Sequence, residues 1–114
     1  MDNYKVAKEL AEVLSQRKAS DVVLIDIAEK SSFADYFINC TASSERQLGA
    51  LQDSVDEKAY ELGLEQKGLE GKSGNSWILV DYGDIIVNIF TAEMRERYAL
   101  DKIWGDCKIE RIED

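Results

Sequence analysis

The side chains in this sequence with the greatest capacity for chemistry are carboxylates. Asp26 and Asp35 lie at the ends of two apolar runs, and Asp81 and Asp84 bracket Tyr82-Gly83. Closely spaced carboxylates can hold metal ions. The sequence contains no histidine, which removes the usual general base, the Ser-His and Cys-His nucleophile pairs and the commonest metal ligand. Acidic residues also occur at turns for conformational reasons, so a structural role for Asp81 and Asp84 stays open.

Neither the motifs nor the charge of the chain favour a ligand that carries phosphate. The segment Gly71-x-x-Gly74 does not match the spacing of a phosphate loop and does not join a strand to a helix. The 14 lysine and arginine residues are outnumbered by 23 aspartate and glutamate residues, for a formal charge of −9. Direct binding to DNA or RNA is therefore disfavoured, and a basic protein is the better electrostatic match.

Length and composition indicate one folded domain that spans residues 1–114. The content of 45% hydrophobic and 32% charged residues is ordinary for a folded protein. No apolar run approaches the roughly 20 residues needed to cross a bilayer, and the first residues lack the pattern of a signal peptide. Cys40 and Cys107 are far apart and need no disulfide in a reducing compartment. We therefore expect a cytoplasmic protein that does not engage a membrane.

The most informative pattern is a hairpin over residues 77–90. Gly83-Asp84 places glycine at the first of two turn positions, which suits a type II′ turn. The resulting register puts three apolar or aromatic pairs on one face: Ile78 with Ile89, Val80 with Val87 and Tyr82 with Ile85. The other face receives Trp77 with Phe90, Leu79 with Asn88 and Asp81 with Ile86. The first face is interpreted as core, and the second, which mixes large apolar groups with polar ones, as the place to look for function.

Three helices are expected around this hairpin. Apolar residues at helical spacing from Val6 to Leu14 predict an amphipathic first helix. Ser44 and Gln47 form a capping box that begins a second helix, which a glycine ends. Thr91 can cap a short third helix that runs through Tyr98. The charged terminus around Ile109 gives no firm pattern.

Further strands are expected at residues 22–27 and 36–41, with a weaker one at residues 64–69. Side chains alternate along a strand, so each strand has one apolar face and one that includes a polar residue. In the first strand the apolar face is Val23, Ile25 and Ile27. Two helices can cover the apolar faces of a mixed sheet of about four or five strands, an α/β (α+β) fold. The other face, with Trp77, Leu79 and Phe90, would then stay partly open.

Spaced motifs run along nearly the whole chain. They are Ala34-Asp35-Tyr36-Phe37, Ser44-x-Arg46-Gln47, Glu70-Gly71, Trp77-x-x-x-Asp81-Tyr82-Gly83-Asp84, Phe90, Arg95-x-x-Tyr98-x-Leu100 and Leu100-x-x-x-Trp104-Gly105-Asp106. Together they resemble the ribosomal silencing factor family, also called the Iojap family. One departure is Asn88, at a position where many members of that family carry histidine.

The resemblance implies a nucleotidyltransferase-like fold and a role that needs no chemistry. Members of the family bind the large ribosomal subunit through ribosomal protein uL14, block joining of the small subunit and repress translation when nutrients are scarce. The resemblance also implies a homodimer when the protein is free, and no catalytic residue, metal or cofactor. The predicted partner-binding residues are Asp35, Trp77, Leu79, Asp81, Tyr82, Asp84, Phe90, Arg95 and Tyr98.

Two other functions are compatible with the sequence. The first is a metal-dependent nucleotidyltransferase-like enzyme, because the family's fold is similar to that of those enzymes. Ser43-Ser44 is not their Gly-Ser turn, however, and no Asp-x-Asp follows it. The second is an acidic dimeric adaptor unrelated to ribosomes, which would share all of these features.

Several predicted contact residues also have a structural interpretation. Trp77 can be a large core group or a dimer contact, and Asp35 can serve hydrogen bonding at the start of a strand. Arg95 and Tyr98 can pack the third helix rather than face a partner. Trp104 is expected in the core because its neighbours are apolar.

Overall fold

The structure, a computed structural model, describes residues 3–32, 34–71, 76–98 and 107–112. Its elements in chain order are α1 (Asn3–Gln16), β1 (Ser20–Asp26), β2 (Tyr36–Ala42), α2 (Glu45–Glu61), β3 (Gly68–Glu70), β4 (Trp77–Asp81), β5 (Ile85–Thr91), α3 (Ala92–Tyr98) and β6 (Lys108–Arg111). This confirms an α+β domain with a mixed sheet and three helices. No helix within these residues is long and apolar enough to span a bilayer.

The sheet contains six strands, in the order β3-β4-β5-β2-β1-β6. The prediction of four or five strands is wrong because it omits β6, which pairs with β1 and places Ile109 opposite Ile25. β6 is short and mostly charged, so its pairing depends on the free edge of β1 rather than on a hydrophobic pattern of its own. The weak strand expected at residues 64–69 is confined to β3, at Gly68–Glu70.

The hairpin between β4 and β5 has the predicted register. Trp77 pairs with Phe90, and Val80 pairs with Val87. Gly83 has a φ of +91°, while Asp84 has no positive φ, which is the sign pattern of a type II′ turn. The turn is closed by the Tyr82 amide, which donates to the Ile85 carbonyl at 2.9 Å. The sequence therefore predicted correctly which side chains share each face of this hairpin.

The predicted caps of α2 and α3 are present. The Gln47 amide donates to the Ser44 hydroxyl at 3.1 Å, and the Gln47 side chain accepts a hydrogen bond from the Ser43 amide. At α3, the Met94 amide donates to the Thr91 hydroxyl at 3.4 Å. These bonds satisfy amide groups that would otherwise be left without partners at the start of each helix.

Helices α1 and α2 cover one face of the sheet and form the main core with it. The largest fully buried residues of this core are Leu10, Leu14, Ile38, Leu48, Leu51, Val55, Ile78, Ile85 and Ile89. The face of β1 that joins this core is the opposite of the predicted one. Leu24 pairs with Ile38 and faces the helices, whereas Val23 pairs with Asn39 on the other face. The pairing with β2 decides this, because β1 has apolar residues on both faces.

Tyr82 connects the hairpin turn to α2. Its side chain is buried, at 5% exposure, in the core under the helices. Its hydroxyl donates to the Asp56 carboxylate, which also accepts from Gln52 Nε2 at 3.2 Å. This contact holds the end of β4 against the middle of α2.

We expect the Tyr82 contact to make stability fall at alkaline pH. Burial, with the hydrogen bond to Asp56, raises the pKa of Tyr82 above its ordinary value of 10.0. The stability that the neutral phenol provides is complete below pH 10 and is lost as pH rises above it, by at most about 1.4 kcal/mol per pH unit. Urea unfolding between pH 8 and pH 11 should show this fall.

Two variants separate the contribution of Tyr82 from that of the other tyrosines. Tyr82→Phe should be less stable than the unmodified protein at pH 8, and the difference should shrink as pH rises. Tyr60→Phe is the control, because Tyr60 is 84% exposed. Parallel pH profiles for all three proteins would contradict the assignment.

Candidate functional site

The face of the sheet opposite α1 and α2 carries the candidate site. Trp77, Leu79 and Asp81 alternate along β4 on this face and are each partly exposed. Phe90, which was expected on the same open surface, is fully buried at 0% exposure. The expectation that Phe90 lies on an open surface is therefore wrong. Of the hairpin residues on this face, those of β4 are partly exposed and those of β5 are buried.

Trp77 is held in place by a tilted contact with an aromatic ring and by a hydrogen bond. Its ring lies 5.2 Å from that of Phe90, centroid to centroid, at an interplanar angle of 42°. Its indole Nε1 donates to Asn88 Oδ1 at 3.1 Å, and Asn88 Nδ2 donates to Asn39 Oδ1 at 3.0 Å. This hydrogen-bond chain, Asn39–Asn88–Trp77, crosses β2, β5 and β4. It fixes the orientation of a half-buried aromatic side chain.

Sequence reasoning missed this chain of hydrogen bonds. Its signal was present as single polar residues, Asn39 and Asn88, inside two otherwise apolar strands. Both are buried, at 2% and 6% exposure. Only the parallel pairing of β2 with β5 places them opposite each other. Buried amides that satisfy one another cost little, whereas either one alone would lack a partner.

Tyr82 and Arg95, both predicted to bind a partner, make internal contacts. Tyr82 is buried beneath α2, on the hairpin face that the sequence predicts as core, and a direct contact between Tyr82 and a partner stays a prediction. Arg95 Nη1 donates to the Asp21 carbonyl at 2.7 Å and to the Thr41 hydroxyl at 2.9 Å. These bonds attach α3 to β1 and β2. The side chain of Tyr98 and the whole of Trp104 lie outside the described residues.

Asp35 and Asp84 meet at the hairpin turn. Asn3 Nδ2 donates to Asp35 Oδ2 at 2.9 Å and lies 3.4 Å from Asp84 Oδ2. The Asp84 carbonyl accepts from the amides of Asp35, at 2.8 Å, and Tyr36, at 3.1 Å. The start of α1, the start of β2 and the hairpin turn are thereby joined. Asp84 remains exposed and Asp35 partly so, which leaves negative charge at this end of the sheet.

The other two candidate carboxylates have separate local roles. Asp81 Oδ1 accepts from the Gly83 amide at 2.7 Å, and Asp26 Oδ1 accepts from the Ala28 amide at 3.1 Å. Within the described residues, no group of three or more cysteine, aspartate or glutamate side chains is arranged to hold a metal ion. Gly74, part of the glycine motif considered above, lies outside those residues.

A small cavity adjoins Trp77 at the edge of the sheet. It has a volume of about 270 Å³ and is lined by Glu70, Gly71, Trp77 and Leu79; we call it the Trp77 pocket. Glu70 pairs with Leu79 across β3 and β4, so both side chains lie on the same face. Gly71 has a φ of +82°, and a Cβ atom there would lie 2.1 Å from the Trp77 carbonyl oxygen. A side chain at position 71 is therefore incompatible with this edge of the pocket.

A larger cavity of about 560 Å³ lies elsewhere in the molecule. It is bounded by α1, β1, β2 and β6, and its lining includes Tyr4, Leu24 and Tyr36. None of the residues predicted to bind a partner lines it. Size alone therefore does not identify the functional surface, and the candidate site remains the partly exposed surface of β4 with the Trp77 pocket.

Comparison with known proteins finds a family that matches this chain. The profile described as "Ribosomal silencing factor during starvation" matches residues 1–114. The chain is 33% identical to ribosomal silencing factor RsfS of Bacillus subtilis over 109 residues, which is 96% of this chain and 92% of that protein. It is 41% identical to RsfS of Haemophilus influenzae over 96 residues, which is 84% of this chain and 94% of that protein.

Two crystal structures resemble the fold. One, of a Chromobacterium violaceum protein, matches with a TM-score of 0.88 and 32% identity, over 92% of this chain and 88% of that one. The other, of a Bacillus halodurans protein, matches with a TM-score of 0.77 and 31% identity, over 99% of this chain and all of that one. The likeness therefore extends over the sheet and both large helices.

We expect Gly71→Ala to destabilise the edge that carries the Trp77 pocket. The added methyl group would meet the Trp77 carbonyl, and the positive φ would be strained as well. The free energy of unfolding should fall by about 1–3 kcal/mol, measured by urea denaturation. Gly63→Ala is the matched control, because Gly63 also has a positive φ but nothing lies within 4 Å of the added atom. Equal losses in the two variants would mean that the close approach to Trp77 has no effect.

Proposed function

The chain belongs to the ribosomal silencing factor family, and on that premise we propose that it binds the large ribosomal subunit through ribosomal protein uL14 and blocks joining of the small subunit. The observation that carries the proposal is the partly exposed surface around Trp77 and Leu79 on β4. The consequence of this binding would be repression of translation when nutrients are limited. Acting on free subunits, the protein would work in the cytoplasm.

A rigid aromatic anchor supports the choice of this surface. Trp77 packs against the ring of Phe90 and is hydrogen-bonded to Asn88, so little side-chain freedom remains to be lost on binding. Tryptophan residues of this kind often contribute much of the binding energy of a protein interface. Leu79 and Asp81 would extend the contact along β4. Phe90 and Asn88 would then support the contact from beneath without touching the partner.

Charge supports a protein partner rather than ribosomal RNA. The chain carries a formal charge of −9, and Asp35 and Asp84 leave negative charge at the turn next to β4. Such a surface would avoid phosphate groups and attract a basic protein. Asp35, Asp81 and Asp84 are proposed at the rim of the contact. A contribution from Tyr98 stays a prediction.

The mechanism would be occlusion. A domain bound where the small subunit must dock prevents joining by its volume alone, so no bond in a substrate has to be made or broken. The nucleotidyltransferase-like alternative has weaker support, because Asp26 and Asp81 each cap a local turn rather than converge on one point. The adaptor alternative makes a different prediction, because such a protein would not sediment with large subunits.

We expect the purified protein to lower the yield of joined ribosomes from separated subunits without consuming a nucleotide. Trp77→Ala should weaken binding to large subunits by roughly thirtyfold, since a buried interface aromatic can contribute about 2 kcal/mol. The inhibition of joining should weaken in parallel. Co-sedimentation with large subunits and sucrose-gradient profiles measure the two effects.

Val80→Ala is the matched control for this experiment. Val80 is the neighbour of Leu79 on β4 but is fully buried beneath the helices, at 0% exposure. Its truncation should lower stability by about 1–3 kcal/mol and leave the binding of the folded fraction unchanged. If Trp77→Ala unfolds the domain while Val80→Ala abolishes binding, the two faces have been assigned the wrong way round. Normal joining at saturating protein would contradict occlusion itself.

We also propose that the free protein is a homodimer that uses the Trp77 surface. A partly apolar surface without its partner can be covered by a second copy, so self-association should compete with uL14. The apparent mass should fall toward 12.9 kDa on dilution, and addition of uL14 should replace the homodimer by a complex that contains one copy of this chain. Analytical ultracentrifugation measures this. A species that stays monomeric at high concentration would contradict the proposal.

A further inference from the structure

The lining of the Trp77 pocket includes one carboxylate, that of Glu70. Glu70 lies on the edge strand β3 with its side chain exposed, on the same face as Leu79. Among the described residues it makes no ion pair and no side-chain hydrogen bond. By contrast, Glu65 in the preceding loop lies 3.5 Å from Lys67 Nζ. Glu70 therefore presents a free carboxylate beside an indole ring and a leucine side chain.

These three groups define the chemistry of a side chain that would fit. An indole ring attracts a cation over its face, an aliphatic wall packs against methylene groups, and a carboxylate accepts charge-assisted hydrogen bonds. The volume of about 270 Å³ is below that of most small-molecule sites, so it suits a single long side chain. We propose that the Trp77 pocket takes one arginine side chain of the protein partner, with its guanidinium group on Glu70.

Arginine meets all three requirements together. Its planar guanidinium group can stack on an aromatic ring and bind a carboxylate through two parallel hydrogen bonds, which a lysine ammonium cannot do. An apolar side chain in the pocket would leave the Glu70 carboxylate desolvated and unpaired. An acidic side chain would be repelled by Glu70 and by the formal charge of −9. Arginine is also enriched at the centres of protein interfaces.

This inference rests on the proposed function, since it assumes that the partner docks on the Trp77 surface. It adds to that function a residue that selects the partner's side chain, Glu70, which lies on β3 and not in the β4–β5 hairpin. Gly71 makes the arrangement possible, because its lack of a side chain allows the chain after β3 to pass against the Trp77 carbonyl. Glu70 would thus select the chemical class of the side chain that enters, while Trp77 would provide the surface on which it lies.

Binding of purified uL14 to Trp77→Ala and to three further variants tests the inference, by isothermal titration calorimetry at several salt concentrations. Glu70→Gln should weaken binding about tenfold and flatten its dependence on salt, because one charge-assisted contact is lost. Glu70→Leu should weaken binding at least as much. Glu65→Gln is the matched control, since it removes the same net charge from a carboxylate that is 81% exposed. Its effect should stay below twofold.

The outcomes separate this inference from the proposed function. If Glu70→Gln and Glu65→Gln have equal small effects while Trp77→Ala weakens binding, the surface is right and the arginine assignment is wrong. If Glu70→Leu binds more tightly than the unmodified protein, the occupant is apolar and the assignment is again wrong. If neither Trp77→Ala nor Glu70→Gln changes binding, the proposed surface fails together with the inference.

A double-mutant cycle identifies the arginine itself. Each exposed arginine of uL14 is replaced in turn by alanine and tested against the unmodified protein and against Glu70→Gln. One replacement should weaken binding to the unmodified protein about tenfold and have almost no further effect on Glu70→Gln. The same arginine replaced by lysine should recover only part of the loss. Additive effects for every arginine would overturn the inference.

Discussion

The structure depends most on the parallel pairing of β2 with β5 at the centre of the sheet. This pairing joins the α1–β1–β2 half of the chain to the β4–β5 hairpin, and it aligns Ile38 with Val87 under the helices. The same register aligns Asn39 with Asn88 on the other face. A slip of one residue would turn the core side chains away from α1 and α2 and would bury two unpaired amides. Both faces are therefore fixed by one set of strand contacts.

The candidate site uses this rigidity. Asn39 and Asn88 are buried and hydrogen-bonded to each other, and Asn88 also accepts a hydrogen bond from the indole of Trp77. A half-buried aromatic side chain supported in this way presents a defined surface before any partner arrives, which lowers the entropy lost on binding. Asn88 is thus a structural support for the site.

Acidic residues contribute to the protein in two distinct ways. Asp26, Asp81 and Asp56 accept hydrogen bonds that hold turns and a helix in place. Glu70 remains exposed on the face that carries Leu79, and Asp84 remains exposed at the hairpin turn. The division explains why an acidic composition does not by itself indicate a metal site. Carboxylates that cap separate turns lie too far apart to share a metal ion. Carboxylates that stay exposed can each form a separate contact with a basic partner.

The sequence by itself determined the local structure: the register of the β4–β5 hairpin, the caps at Ser44 and Thr91, and the family through spaced motifs. The hairpin register and the helix caps depend on residues that are close together in the chain, so the residue types alone predict them. Only the tertiary structure decided the position of β6, the face of β1 that joins the core, and the burial of Phe90. Each of these features depends on which distant segment packs against a given element. The elements concerned are apolar on both faces or, like β6, have no hydrophobic pattern. Hydrophobic patterns cannot specify such a partner, because burial is non-directional and the pairing of strands selects the face.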